Sequence, residues 1–177
     1  MSATPARGVA AMSRPLWRPA YIGVGSNLES PARQLEQAIN ALGEIADTLV
    51  VLCSGLYRSA PFGPISQPDF VNGVVGLLTR LEPPVLLECL QSIEDAQGRD
   101  RSAARWGPRT LDLDLLACGS LVWEDNNLQL PHPGISERNF VLLPWAEIAP
   151  GFQVPGLKSV AGLASEAPEE PRIEKLG

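Results

Sequence analysis

Residues 98–116 read GRDRSAARWGPRTLDLDLL, and the run LDLDLL at 111–116 decides how the rest of the chain is read. In an extended strand, side chains two apart point to the same face. Leu111, Leu113 and Leu115 therefore project together, and Asp112 and Asp114 project together on the opposite side. Two carboxylates on one face repel each other unless a cation or several donors satisfy them. Just upstream, Arg99, Arg101, Arg105 and Arg109 face a single acid, Asp100, in a chain with 14 basic and 20 acidic side chains. Magnesium takes oxygen ligands, usually one or two carboxylates with phosphates and water. Guanidinium forks match phosphate oxygens and neutralise their charge. The combination points to a polyphosphate held by metal on one side and arginine on the other. The plainer alternative is an edge strand with solvated aspartates beside a polar loop.

The elements flanking that strand define a simple order. AYIGVGSN, residues 20–27, reads as a first strand ending in a tight turn, with Gly25 allowing close backbone approach. Ser30 is a candidate cap and Pro31 a first helical residue, and Leu35, Ala38, Ile39 and Leu42 follow at helical spacing. Residues 48–59 read as a second strand with a bulge at Gly55, and residues 70–80 as a third. Between them, 60–69 carries three prolines and a glycine and must be a loop. Residues 82–98 form a second helix on Leu86, Leu87, Leu90 and Ile93; Gln91 and Glu94 are three apart and look toward one site. The Asp112/Asp114 strand closes this series, a short strand is expected within 128–133, and a helix within 136–150 begins near Ser136 and is bent or ended by Pro144.

Strand, helix, strand, strand, helix, strand is the split βαβ arrangement of an α+β, ferredoxin-like fold: an antiparallel sheet with helices packed on its faces. The two helices share one face and the C-terminal segment covers the other. Residues 1–19 contain Arg7, Arg14 and Arg18, no acid and three prolines, and read as a disordered extension. Residues 20–160 form a single domain, and 161–177 read as a weakly ordered tail. At 177 residues the chain is long enough to bury one core.

A net charge of −6 argues against a nucleic-acid partner, and no apolar run approaches a membrane span. Cys53, Cys89 and Cys118 are odd in number and sit in apolar settings, which reads as buried, reduced thiols in the cytoplasm. With one histidine and no CxxC pair, a structural zinc site is not expected.

Four stretches together, YIGVGSN at 21–27, YRSAPFGPISQPDFVN at 57–72, IEDAQGRDRSAARWGPRTLDLDLL at 93–116 and LPHPGISERNFVLLPWAEIAP at 130–150, carry a resemblance to the 6-hydroxymethyl-7,8-dihydropterin pyrophosphokinase family. The likeness covers roughly residues 20–155. It implies transfer of a pyrophosphoryl group from ATP to the pterin hydroxymethyl oxygen, with release of AMP and two Mg²⁺ ions across the phosphates. By the same resemblance Asp112 and Asp114 match the metal ligands, and Arg99 and Arg109 the arginines that engage the phosphates. Arg101, Arg138, Gln91, Glu94, Leu115 and His132 match other nucleotide positions. Asn72 matches the side chain that reads the pterin edge. Phe70, Phe140 and Trp106 match its aromatic contacts, and Ser59, Ala60 and Phe62 its loop. Phe62, Phe70 and Pro133 depart from the leucine, tyrosine and tyrosine common at those positions, which affects packing rather than charge. A monomer acting on small molecules, without a second catalytic domain, is the expectation. The alternative from another class is a ferredoxin-like module that binds nucleotide or RNA without chemistry, which needs a basic or aromatic sheet face.

Overall fold

The computed structural model describes residues 15–61, 66–99 and 107–177. Strand β1 (Arg18–Ser26) runs through the centre of an antiparallel sheet, with β4 (Phe70–Thr79) on one side and β5 (Asp112–Cys118) on the other. Outside β4 lie β2 (Thr48–Cys53) and β3 (Tyr57–Ser59), which pair with successive halves of it, and β8 (Ile173–Lys175) adds to the outer edge of β3. A separate hairpin joins β6 (Trp123–Glu124) to β7 (Gln129–Leu130). The order β5-β1-β4-β2/β3 is the ferredoxin-like α+β arrangement read from the sequence.

Helices α1 (Pro31–Gly43) and α2 (Pro83–Ala96) cover one face. Leu35, Ala38 and Leu42 of α1 and Leu86 and Leu90 of α2 are fully buried there, packed with Ile22, Val75, Leu77 and the predicted Leu111, Leu113 and Leu115. On the opposite face, α3 (Asn139–Ile148) and α4 (Val160–Ser165) bury Trp145, Leu142, Val160 and Leu163 against Tyr21 and Val74. The C-terminal segment thus supplies the second layer. A bulge delivers β5 to both cores: Leu115 pairs with Ile22 but Ala117 with Tyr21, so Leu116 is the extra residue, and Leu116 and Ala117 both join the second core.

Several local expectations are corrected. The second strand is two strands, because Ser54 leaves the ladder: its Oγ accepts the Val74 N–H at 2.9 Å while Glu147 Oε1 accepts the Gly55 N–H at 3.2 Å. Ser30 has φ 65° and makes no side-chain cap. Ser136 lies in a 3₁₀ turn (Ile135–Glu137), and α3 starts after Arg138 without a capping box, running through the buried Pro144 to Ile148. Cys53 is exposed and Cys89 half-buried; Cys118 alone of the three is buried, since β2 turns only Val50 toward the first core. Segment 161–177 contains most of α4 and all of β8, because proline and glutamate content hides a strand that forms only against β3. β1 begins at Arg18, two residues before the expected domain boundary. Among the described residues no helix is long and apolar enough to cross a membrane.

Candidate active site

Asp112 and Asp114 stand at the start of β5, on the sheet's edge, with 24% and 31% of their side chains exposed. Each is held by arginine. Asp112 accepts from Arg99 Nη1 at 2.7 Å and from Arg109 Nη1 at 2.8 Å. Asp114 accepts from Arg138 Nη1 at 2.8 Å. Gly134 permits the last contact, since a Cβ there would lie 3.0 Å from Arg138 Nε. Burial and the neighbouring Asp112 push the Asp114 carboxyl above the ordinary carboxylate range, with His132 and Arg138 pulling it back.

Two pockets meet at Asp114, and Asp112 lines the first of them. The first lies between the Gly23–Gly25 backbone of β1, Ser59 and Ala60 after β3, Phe70 and Asn72 of β4, and Phe140 and Val141 of α3; Arg109, Arg138 and both aspartates form its charged end. Asn72 is buried, and its Nδ2 donates to Ser59 Oγ at 2.8 Å, which fixes the amide. The Asn72 Oδ1 lies 3.0 Å from where a Gly25 Cβ would be, so Gly25 keeps that oxygen accessible. The pocket is mostly apolar with a few fixed polar groups, the usual construction of a small-molecule site. The second pocket is lined by Leu87, Leu113, Leu115, the 125–129 turn, His132 and Pro133. Asp114 lines both.

His132 is tied down by its backbone N–H to Leu116 O at 2.9 Å, and its Nδ1 accepts the Gly134 N–H at 3.0 Å. That bond leaves Nε2 to carry the ring proton of a neutral imidazole. Burial lowers the His132 pKa, although Asp114 opposes the shift. Glu94, only 3% exposed, closes the apolar stripe of α2 with a carboxylate. Its Oε1 accepts the Leu113 N–H at 2.8 Å, between the two aspartates, and also accepts from Arg99 Nη1. Gln91 is exposed on α2 and lines neither pocket. Phe62, Arg101 and Trp106 lie outside the described residues.

Asn27 escaped the sequence reading. It is 3% exposed, and its Oδ1 accepts the Arg109 N–H at 2.9 Å while its Nδ2 donates to Gln67 Oε1 and Pro68 O, both at 3.0 Å. It therefore joins the two loops that border the site. The only sequence signal was a polar residue directly after the first strand's turn, in GVGSN.

The donor set fits magnesium. Among the described residues no group of three or more His, Cys, Asp and Glu side chains gathers as a metal cluster, yet two carboxylates stand together where two pockets join. That is the number magnesium uses when phosphates and water supply its remaining ligands.

A ferredoxin-like sheet with an acidic pair between two pockets, faced by guanidinium groups, defines a transferase of the metal-assisted phosphoryl-transfer kind. The family model for 7,8-dihydro-6-hydroxymethylpterin-pyrophosphokinase (HPPK) matches residues 21–150, and the chain belongs to that family. It is 44% identical over 156 residues to the 2-amino-4-hydroxy-6-hydroxymethyldihydropteridine pyrophosphokinase of Pseudomonas aeruginosa, covering 88% of this chain and 95% of that one. The Haemophilus influenzae protein of the same name is 41% identical over 155 residues, covering 88% and 96%. Among solved structures, a Plasmodium falciparum HPPK-DHPS triple mutant superposes with a TM-score of 0.68 at 14% identity, over 88% of this chain. This chain spans 45% of that longer one, and the likeness speaks for the fold.

Proposed function

We propose that this protein transfers pyrophosphate from ATP to 6-hydroxymethyl-7,8-dihydropterin, giving AMP and the pterin diphosphate in folate biosynthesis. The observation that carries the reading is Asp114 lining both pockets, beside Asp112. A pterin in the first pocket and a nucleotide in the second would bring hydroxymethyl group and phosphates together at the acidic pair. Relatives named for this reaction cover nearly the whole chain at 41–44% identity.

In this reading the pterin stacks between Phe70 and Phe140, and Asn72, oriented by Ser59, reads its polar edge. The family resemblance also assigns Phe62 and Trp106 to the pterin, and both lie outside the described residues. Leu115 and His132 line the nucleotide side; the family resemblance also assigns Gln91, Glu94, Arg101 and Arg138 to it, although Gln91 and Glu94 line neither pocket and Arg138 lines the first. Asp112 and Asp114 would hold the two Mg²⁺ ions that the family resemblance implies, and the metal would supply charge neutralisation on the phosphate oxygens. Arg99 and Arg109 turn from Asp112 to the phosphates. The hydroxymethyl oxygen bonds to the β-phosphorus, the bond from that phosphorus to the oxygen of AMP breaks, and the alcohol proton leaves to solvent. Chain groups contribute alignment and charge stabilisation, which dominate phosphoryl transfer. Reduced thiols and an acidic balance support a cytoplasmic enzyme with small-molecule partners, and two pockets built from one chain support a monomer.

Incubation with ATP, Mg²⁺ and the pterin is expected to yield stoichiometric AMP and pterin diphosphate. Asp112→Ala and Asp114→Ala are expected to abolish turnover while keeping the fold. Ligand binding without AMP formation would leave the non-catalytic module as the correct reading.

A further inference from the structure

We propose that the C-terminal strand β8, anchored by Asn139, is a positioning element of the pterin pocket. Asn139 is 2% exposed at the first turn of α3. Its Nδ2 donates to Pro168 O at 2.9 Å and to Pro171 O at 2.8 Å, which fixes the turn leading into β8. β8 then runs antiparallel to β3, with Ile173 opposite Ser59 and Lys175 opposite Tyr57. Beyond the paired residues, Arg172 O accepts the Ala60 N–H at 3.4 Å and Leu56 O accepts the Leu176 N–H at 2.8 Å. The far end is fastened to the same helix, since Lys175 Nζ donates to Glu147 Oε1 at 3.1 Å.

β3 is only three residues long, and its last residue, Ser59, and the following Ala60 line the pocket. A strand that short makes few ladder bonds to any one neighbour, so pairing at its second edge adds substantially to what holds it. On one edge it has β4; on the other, β8 is its partner. β8 therefore sets where Ser59 stands, and Ser59 sets the rotation of the Asn72 amide. Asn139 sits between Arg138, which holds Asp114, and Phe140, a wall of the pocket. One helical turn thus ties the acidic pair, the pocket wall and the brace of β3 together. The second pocket touches neither β3 nor β8, so the brace acts on one substrate only.

The assignment rests on the pterin reading of the first pocket. In the full chain, Asn139→Ala removes both anchoring bonds, and Glu174→Pro, at an exposed position opposite Arg58, breaks the pairing without touching either core. Each is expected to raise KM for the pterin about tenfold, the effect of losing one to two net hydrogen bonds. KM for ATP is expected to stay within about twofold, with kcat preserved at saturating pterin. Equal changes in both KM values, or an unchanged pterin KM in both variants, overturn the positioning role. Calorimetry on the wild-type protein separates the two levels: pterin uptake by wild type and variants alike removes only the role of β8, whereas no uptake by wild type removes the pocket reading and with it this inference.

Discussion

The acidic pair is expected to exchange arginine for metal, and replacing Arg109 by alanine tests this with effects of opposite sign. Asp112 is bracketed by Arg99 and Arg109 at 2.7 and 2.8 Å, with only 20–24% of the three side chains exposed. At roughly 4 Å between charge centres and an effective dielectric near 20, the attraction is about 4 kcal/mol per pair. Desolvation and side-chain ordering offset most of it, leaving about 1 kcal/mol net for a partly exposed pair. A cation must displace that contact to reach Asp112. Arg109→Ala should therefore tighten binding of Mn²⁺, without nucleotide, by about fivefold. The same substitution would remove the proposed phosphate contact and should lower kcat by about a hundredfold or more, as loss of a preorganised donor to developing charge does. Mn²⁺ titration followed by electron paramagnetic resonance reads the first effect and AMP release the second. Weaker or unaltered Mn²⁺ binding in the variant would refute the exchange.

Asn27→Ala leaves the Arg109 N–H and Pro68 O without their partner, so kcat/KM should fall at least tenfold, at about 1 kcal/mol per lost bond; steady-state kinetics checks this, and an unchanged value would show that the two loops need no shared anchor. Gly25→Ala places a Cβ 3.0 Å from Asn72 Oδ1 and should weaken pterin binding by about tenfold with little change in ATP binding, read by calorimetry. Thiol labelling should separate the cysteines: burial pushes the Cys118 thiol up to about 11 and removes it from solvent, so at pH 8 it should react only on unfolding, whereas the exposed Cys53 should react in the native protein. Mass spectrometry of the labelled peptides decides this, and native labelling of Cys118 ahead of Cys53 would contradict the packing of β5.

The parts of the fold legible in the sequence are those fixed by local period. Alternation along 111–115 put the leucines in the first core and the aspartates on the other face, and the 3.6-residue spacing of Leu35, Ala38 and Leu42 placed α1. What failed depended on partners distant in sequence. The bulge at Leu116 exists because β5 serves two cores, and the break at Ser54 because its hydroxyl takes a β4 amide. Cys53 looked buried in an apolar run, but β2 lies outside β4 and most of it faces solvent. At the site, the clustered charges near 99–114 were visible, whereas the pairing of Arg138 with Asp114 spans 24 residues and the Asn27 link to Arg109 spans 82. Glu94 read as a helix residue facing a ligand; its burial follows from β5 being an edge strand whose Leu113 N–H needs an acceptor.

That edge position explains the composition of the site. An edge strand leaves backbone groups unpaired, and here a carboxylate from α2 satisfies one of them, while Arg99 links that carboxylate to Asp112. Among the described residues, Glu94, Asp112 and Asp114 are balanced by Arg99, Arg109 and Arg138, so the ligand-free site is close to neutral. In the proposed reading, an ATP molecule with about four negative charges, arriving with two divalent cations, would also be close to neutral. In that reading, binding would then change partners rather than net charge: carboxylates would pass from guanidinium to metal, and guanidinium from carboxylate to phosphate. The low-dielectric pocket never has to hold a large uncompensated charge, which is the costliest state available to it. A chain with net charge −6 can therefore take up a polyanion at one point on its surface without a basic face elsewhere.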